Sequence, residues 1–262
     1  MALAHDRGGS GEPLLLIHGI GSQWQVWQPV LPALRAERDV LAIDLPGFGE
    51  SAVLDGGRTP SIDALADAVV AFLDGIGWDR PHVAGNSLGG WLALELSKRG
   101  RAASACALSP AGFWNHREHV FAVASLRNAQ TVVQKLDSRL ESLYANGAFK
   151  AVAMGQLVAR PDRLPAEAAV ASARNLGRSP GWKPTLAAMS GRDVHFTGGV
   201  DVRTPATIAW GEKDRLLLPR QAERARRAIP QARHVSLYGC GHVPTWDDPE
   251  LVARTILSSS RV

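Results

Sequence analysis

The sequence predicts an α/β fold, in which a mostly parallel sheet is covered by helices on both faces and carries a helical insertion. Three observations lead there. Short apolar runs bounded by turn residues recur along the 262-residue chain. Segments of helical period separate them, and strands buried on both faces are expected to look like such near-continuous runs. One long stretch, 113–196, breaks the alternation because it holds no convincing strand.

Taken in order, residues 14–17, 40–43, 82–84, 103–108 and 207–210 are expected as buried strands, with 233–237 a weaker candidate. Residues 27–37, 61–75, 88–99, 220–228 and 249–258 are the helices between them. This βα alternation is the mark of a doubly wound architecture. Residues 120–135 and 136–157 are expected as two further helices, and Pro161, Pro165, Pro180 and Pro184 punctuate the rest of the insertion. The organisation expected is a core domain of residues 1–112 and 197–262, interrupted by an insertion of residues 113–196.

Composition excludes several classes. A hydrophobic fraction of 45% and a charged fraction of 21% belong to an ordinary globular chain. Two cysteines, Cys106 and Cys240, are too few for a disulfide framework and fit a reducing compartment. Residues 1–13 hold no apolar core of the length a secretory signal needs, and no run approaches the roughly 18–20 apolar residues of a membrane span. A cytoplasmic protein with no membrane partner is expected. The net charge is +4, and its densest basic run, 220–233, interleaves Glu, Gln and apolar residues as on a solvated helix face. No nucleic-acid module accompanies it, so no nucleic-acid partner is expected. A monomer or small homo-oligomer is expected.

The chemistry is concentrated at strand ends. Strand 82–84 runs into Gly85-Asn86-Ser87-Leu88-Gly89-Gly90, and a helix begins at once. In a strand-turn-helix context G-x-S-x-G places a serine hydroxyl at the tip of a strained turn, with free helix N–H groups beside it. Asn86 is expected to serve the turn. A serine hydroxyl needs a base. His242, in Gly239-Cys240-Gly241-His242 after the last strand, is the best of the eight histidines. His5 lies near the terminus, and His82 and His234 lie in or beside strands. His116 and His119 are spaced as a metal pair but have no third ligand, and a solvated helix face is expected for them. The base needs an acid to orient it. Asp214, in Gly211-Glu212-Lys213-Asp214 past strand 207–210, is preferred over Glu212, Asp247 and Asp248. His18-Gly19-Ile20-Gly21 comes after the first buried strand, and the N–H groups of Ile20 and Leu88 are the expected oxyanion donors.

Five stretches carry a resemblance: LLLIHGIGS (14–22), AIDLPGFGES (42–51), HVAGNSLGGWLALELS (82–97), TIAWGEKD (207–214) and GCGHVPTWDDPE (239–250). With these the chain resembles the α/β-hydrolases of the esterase, lipase and C–C-hydrolase branch. The resemblance implies an α/β-hydrolase fold, the chain order Ser87, Asp214, His242, and an insertion that roofs the site. Relatives that dehalogenate or open epoxides use aspartate where this chain has Ser87. Such proteins begin with an antiparallel strand pair; residues 1–6 are expected to supply one edge strand, the other being short or missing.

The function expected is hydrolysis of carboxylic esters of small to medium hydrophobic substrates through an acyl-enzyme, with no cofactor and no metal. C–C bond hydrolysis of ring-fission diketones is the runner-up; it wants a cation over the substrate carboxylate, with Arg192 or Lys183 as the candidates. Cofactor-free perhydrolysis ranks third and a non-turnover ligand receptor fourth. Trp24, Phe113, Trp114, Trp182 and Phe196 are the expected pocket liners, with Leu143, Met154, Leu157 and Met189 also in view. Trp24 and Trp27 are expected to line the entrance or to anchor their helix, and Trp91 is placed in the core.

Overall fold

The computed structural model describes residues 2–201 and 203–261. Its seven strands are β1 (His5–Gly8), β2 (Glu12–Ile17), β3 (Arg38–Ile43), β4 (His82–Asn86), β5 (Ser104–Leu108), β6 (Ala206–Gly211) and β7 (Arg233–Leu237). They form one sheet in the order β1-β3-β2-β4-β5-β6-β7. All neighbours are parallel except β1, which runs antiparallel to β3. The expected edge strand therefore exists, two residues beyond the stretch assigned to it. Gly9 and Gly11 turn the chain from it directly into β2, both with positive φ, and a Cβ on Gly9 would lie 2.2 Å from the Arg38 carbonyl oxygen.

Alternation along the strands explains the continuous apolar runs. Leu15 and Ile17 face one side of the sheet with Leu41, Ile43, Val83 and Ile208, where helices α2 (Ile62–Gly75) and α3 (Leu88–Lys98) pack. Leu14 and Leu16 face the other side with Val40, Ala42, Ala84 and Ala209, covered by α1 (Leu31–Arg35) and α10 (Pro249–Ser259). Strands β2 to β6 carry apolar residues on both faces because both faces are roofed. Residues 27–37 form less helix than expected: a 3-10 turn at Trp24–Trp27, then the five residues of α1, begun by Pro32 near the N-terminus where a missing N–H costs nothing.

The stretch between β5 and β6 is helical: α4 (His116–Leu136), α5 (Leu140–Ala145), α6 (Gly147–Met154), α7 (Ala166–Arg178) and α8 (Trp182–Met189). The second helix expected over 136–157 is in fact broken. A 3-10 turn at Asp137–Arg139 separates α4 from α5, and Asn146 ends α5 and caps α6 through its side chain. Part of the insertion has its own small core, with Val133, Leu140, Tyr144, Met154, Leu164 and Val170 in it. Helix α4 starts on a capping box between Asn115 and Glu118. Glu118 is buried and also takes Arg220 and Arg224, which flank and enter α9 (Gln221–Ala228). The basic run is thus a solvated face only in part; two of its arginines tie the insertion to the core.

Candidate active site

The elbow arises from what glycine lacks. Ser87 has φ 57° and ψ −114°, a left-handed conformation costing a non-glycine residue about 1–3 kcal/mol. Its backbone is pinned from both sides: its N–H donates to Leu108 O, and its carbonyl accepts from Trp91 and Ala111 N–H. A Cβ on Gly85 would lie 2.0 Å from Gly89 O, and one on Gly89 would lie 2.0 Å from Ile17 O. Only hydrogen fits at either position. The turn places Ser87 at the start of α3, where the N–H of Leu88 has no acceptor among the described residues. Gly19 brings the loop after β2 against the elbow; a Cβ there would lie 3.1 Å from Ser87 Cβ. Ile20, next in that loop, lines a cleft with Ser87 and Leu88, and its N–H is likewise without an acceptor among the described residues. Two free donors beside a serine can receive a developing oxyanion.

Asp214 and His242 meet behind this cleft. His242 Nδ1 lies 2.8 Å from Asp214 Oδ2, with both side chains buried. The other carboxylate oxygen of Asp214 accepts from the N–H groups of Leu216 and Leu217 at 2.9 and 2.8 Å, so the acid is held in place as it holds the ring. The loops are knitted together, since Lys213 N–H donates to Cys240 O and Glu212 N–H to Leu237 O. The three rival acids have other partners: Glu212 accepts from Gly239 N–H, Asp248 caps α10 at Leu251 N–H, and Asp247 accepts from backbone N–H groups on two segments.

Ser87 and His242 share the wall of a cavity of about 830 Å³, which runs under the insertion between Leu140, Tyr144, Met154 and Leu157. Ser87 also borders a much smaller apolar cleft, about 40 Å³, with Trp114, His119, Leu126 and Met189. Among the described residues lining either space, none is Arg or Lys. Arg192 lines a separate surface cleft with His116 and His195, and Lys183 borders neither space that Ser87 borders.

The alpha/beta hydrolase family profile matches residues 14–255. The chain belongs to the alpha/beta hydrolase family. It is 32% identical over 262 residues to the dihydrolipoyllysine-residue acetyltransferase component of an acetoin cleaving system from Pseudomonas putida, covering 97% of this chain but only 65% of that protein. Shorter matches relate this chain to an epoxide hydrolase of Mycobacterium tuberculosis (56% over 50 residues; 19% of this chain, 23% of the relative) and to a pimeloyl-[acyl-carrier protein] methyl ester esterase of Aeromonas hydrophila (39% over 97 residues; 37% and 36%). Among solved structures, a bacterial membrane phospholipase A superposes with a TM-score of 0.77 at 24% identity, over 99% of this chain and 84% of that one. The last likeness is one of fold. No helix among the described residues is long and apolar enough to cross a membrane.

Within this family member the expected pocket liners divide. Trp114 does border Ser87's smaller cleft, as does Met189, while Met154 and Leu157 line the large cavity. Trp24, Phe113, Trp182 and Phe196 are corrections. Phe113, Trp182 and Phe196 are buried in the main core, Phe113 and Phe196 against each other with ring centroids 5.2 Å apart. Trp24 packs on the opposite face of the sheet, as does the fully buried Trp27. Leu143 borders neither space, and Trp91 lies in the core as expected. His119 is not on a solvated face: it is buried, stacked on Trp114 with centroids 4.7 Å apart, and its Nε2 lies 2.7 Å from Met189 O. The described residues contain no cluster of three or more His, Cys, Asp or Glu able to hold a metal ion.

Two supporting residues carry no clear signal in the sequence. His18 is fully buried, with Nδ1 2.7 Å from Gly19 O and Nε2 accepting from Leu45 N–H at 3.0 Å. That pairing requires a neutral ring, and burial lowers its pKa accordingly. Asn86 donates through Nδ2 to Leu108 O and to His242 O, so a turn residue also anchors the backbone of His242. A histidine between a strand and a glycine is visible in the sequence; its two bonding partners lie 1 and 27 residues away and are not.

Proposed function

We propose that this hydrolase cleaves neutral carboxylic esters bearing a hydrophobic chain, through Ser87 as nucleophile, His242 as base and Asp214 as the acid that orients the base. The observation that carries the reading is the position of Ser87. It stands on a strained turn in the wall of an apolar cavity shared with a histidine whose far nitrogen is 2.8 Å from a buried carboxylate.

In this mechanism His242 takes the Ser87 proton as the oxygen attacks the ester carbonyl. The oxyanion is received by the N–H groups of Leu88 and Ile20; losing one such donor typically costs about 3 kcal/mol in the transition state. His242 then gives its proton to the departing alkoxide, leaving an acyl-enzyme. Water, deprotonated by the same histidine, attacks that ester, and collapse of the second tetrahedral intermediate returns the proton to Ser87 and releases the acid. Asp214 stays ionised throughout and stabilises the imidazolium. The insertion roofs the cavity and supplies its apolar walls.

The absence of Arg and Lys from the described lining favours neutral esters over ring-fission acids, whose carboxylate would meet no counter-charge. A serine nucleophile favours ester chemistry over epoxide opening. The match to a methyl ester esterase points the same way.

The test is a panel of p-nitrophenyl esters from acetate to decanoate. Each added methylene that enters the large cavity contributes about 0.8 kcal/mol, so kcat/KM is expected to rise about fourfold per methylene until the cavity is full. Ser87→Ala should lose four to six orders of magnitude in kcat, on the order seen for serine nucleophiles. A wild type that binds these esters without turning them over would identify a receptor instead. Hydrolysis that survives in Ser87→Ala would remove the serine from the mechanism.

A further inference from the structure

A second carboxylate serves the histidine loop without touching the ring. Asp247 is 2% exposed and lies five residues beyond His242. Its Oδ2 accepts from Gly241 N–H at 2.7 Å and from Ala159 N–H at 3.0 Å, and its Oδ1 accepts from Arg160 N–H at 2.7 Å. Its main-chain carbonyl accepts from the Arg163 guanidinium. On the other side of His242, Val243 N–H donates to Leu157 O at 2.8 Å. The loop carrying the base is therefore fastened, before and after His242, to one short segment of the insertion, residues 157–160. The fit is close, because a Cβ on Gly241 would lie 2.8 Å from Ala159 N and 2.9 Å from Leu157 O.

That segment has a second face. Leu157 and Val158 line the large cavity together with Ser87 and His242. The segment thus meets the cavity at Leu157 and Val158 and the histidine loop at Leu157, Ala159 and Arg160. A chain packed on Leu157 and Val158 restrains the same peptide groups that hold Val243 and Asp247. A displacement there moves His242 as a unit with its loop, and misplacing a reacting group by about 1 Å can cost about a hundredfold in rate.

We propose that Asp247 is a positioning residue that couples occupation of the cavity under the insertion to the placement of His242. Short esters that leave Leu157 and Val158 uncovered hold the base loosely; long-chain esters hold it in register. This deepens the ester-hydrolase reading and rests on Ser87 and His242 being its reacting pair.

The experiment compares kcat and KM of wild type and Asp247→Asn for p-nitrophenyl acetate and p-nitrophenyl octanoate, well below the unfolding midpoint of each protein. Asparagine keeps the volume but replaces one accepting oxygen with a donor that faces backbone N–H groups. In the wild type, kcat for octanoate should exceed that for acetate by tenfold or more. In Asp247→Asn that ratio should collapse to within about threefold of unity, with the octanoate KM changed less than threefold. An unchanged ratio in Asp247→Asn, whatever the absolute rates, would overturn the coupling and leave Asp247 as plain loop support. A second measurement needs no Asp247 variant. In Ser87→Ala protein, hydrogen exchange across residues 239–247 should slow at least tenfold with saturating p-nitrophenyl octanoate and little with acetate. Equal exchange with both esters would also overturn it. Failure of the underlying reading looks different: the wild type then cleaves neither ester, and a short-chain alkyl fluorophosphonate does not label Ser87.

Discussion

Asp214 shows how much a single carboxylate is asked to do. One oxygen faces His242 Nδ1, and the other closes the turn to Leu216 and Leu217. Asp214→Asn can keep the turn through its remaining oxygen, but its amide nitrogen cannot accept from an Nδ1–H. The histidine then loses the partner that selects its tautomer, and kcat on p-nitrophenyl esters is expected to fall about 10⁴-fold with the fold retained. Steady-state kinetics beside a far-ultraviolet CD spectrum check this; near-wild-type kcat would move the role to another acid. The residues of the elbow and its partners are legible in the sequence because each lies within three residues of a glycine just past a strand, a local signal. The work of Asn86 and Asp247 is not, because each acts on backbone groups brought from another part of the chain.

At the scale of elements, the elbow is built by close approach of backbone to backbone. Gly89 on α3 lies against the end of β2, and a methyl group there would meet Ile17 O at 2.0 Å. Helix and strand must part to admit it, so Gly89→Ala is expected to cost about 3 kcal/mol or more, the upper range of overpacking, measured as a shift in the urea midpoint. The joint between the insertion and the core is of a different kind. Glu118 is buried, whereas Arg220 and Arg224 are 66% and 35% exposed on their side chains. Solvent screens the pair, so Glu118→Gln, which can keep the capping box, should cost only about 1–2 kcal/mol. Helix boundaries in the insertion are the least legible elements. Its period looks continuous across residues 136–157, and the break at Asp137–Arg139 comes where the chain must turn for α5 to pack on α7.

At the scale of the whole molecule, the residues proposed for catalysis sit where α/β folds place ligands, beyond the carboxyl ends of parallel strands. Ile20 comes after β2, Ser87 after β4, Asp214 after β6 and His242 after β7. Burial on this scale also sets an acid limit. His18 and His82 both have pKa values lowered from about 6.5, in each case chiefly by desolvation. The unfolded chain takes up their protons as pH falls through 6.5, while the folded protein does so only at lower pH. The stability they contribute is complete above about pH 6.5 and is lost as pH falls through their depressed folded values. Urea midpoints should fall between pH 7 and pH 5 with an uptake of up to two protons on unfolding, and the uptake should be smaller in His82→Gln. A flat profile across that range would contradict it.

The sequence by itself marked the strands and the elbow, and it singled out Ser87, Asp214 and His242 for the proposed chemistry. These depend on short-range facts: strand periodicity, the freedom of glycine, and the order of turns. The tertiary structure alone decided which apolar side chains border the spaces beside Ser87 and which are buried in the main core away from them. A leucine or tryptophan at helical spacing presents the same pattern to either side, and burial favours both alike. Trp114 borders the small cleft beside Ser87, while Trp182 is buried in the core. It also decided that residues 157–160 lie against the histidine loop, since a contact between segments more than eighty residues apart leaves no mark in local pattern.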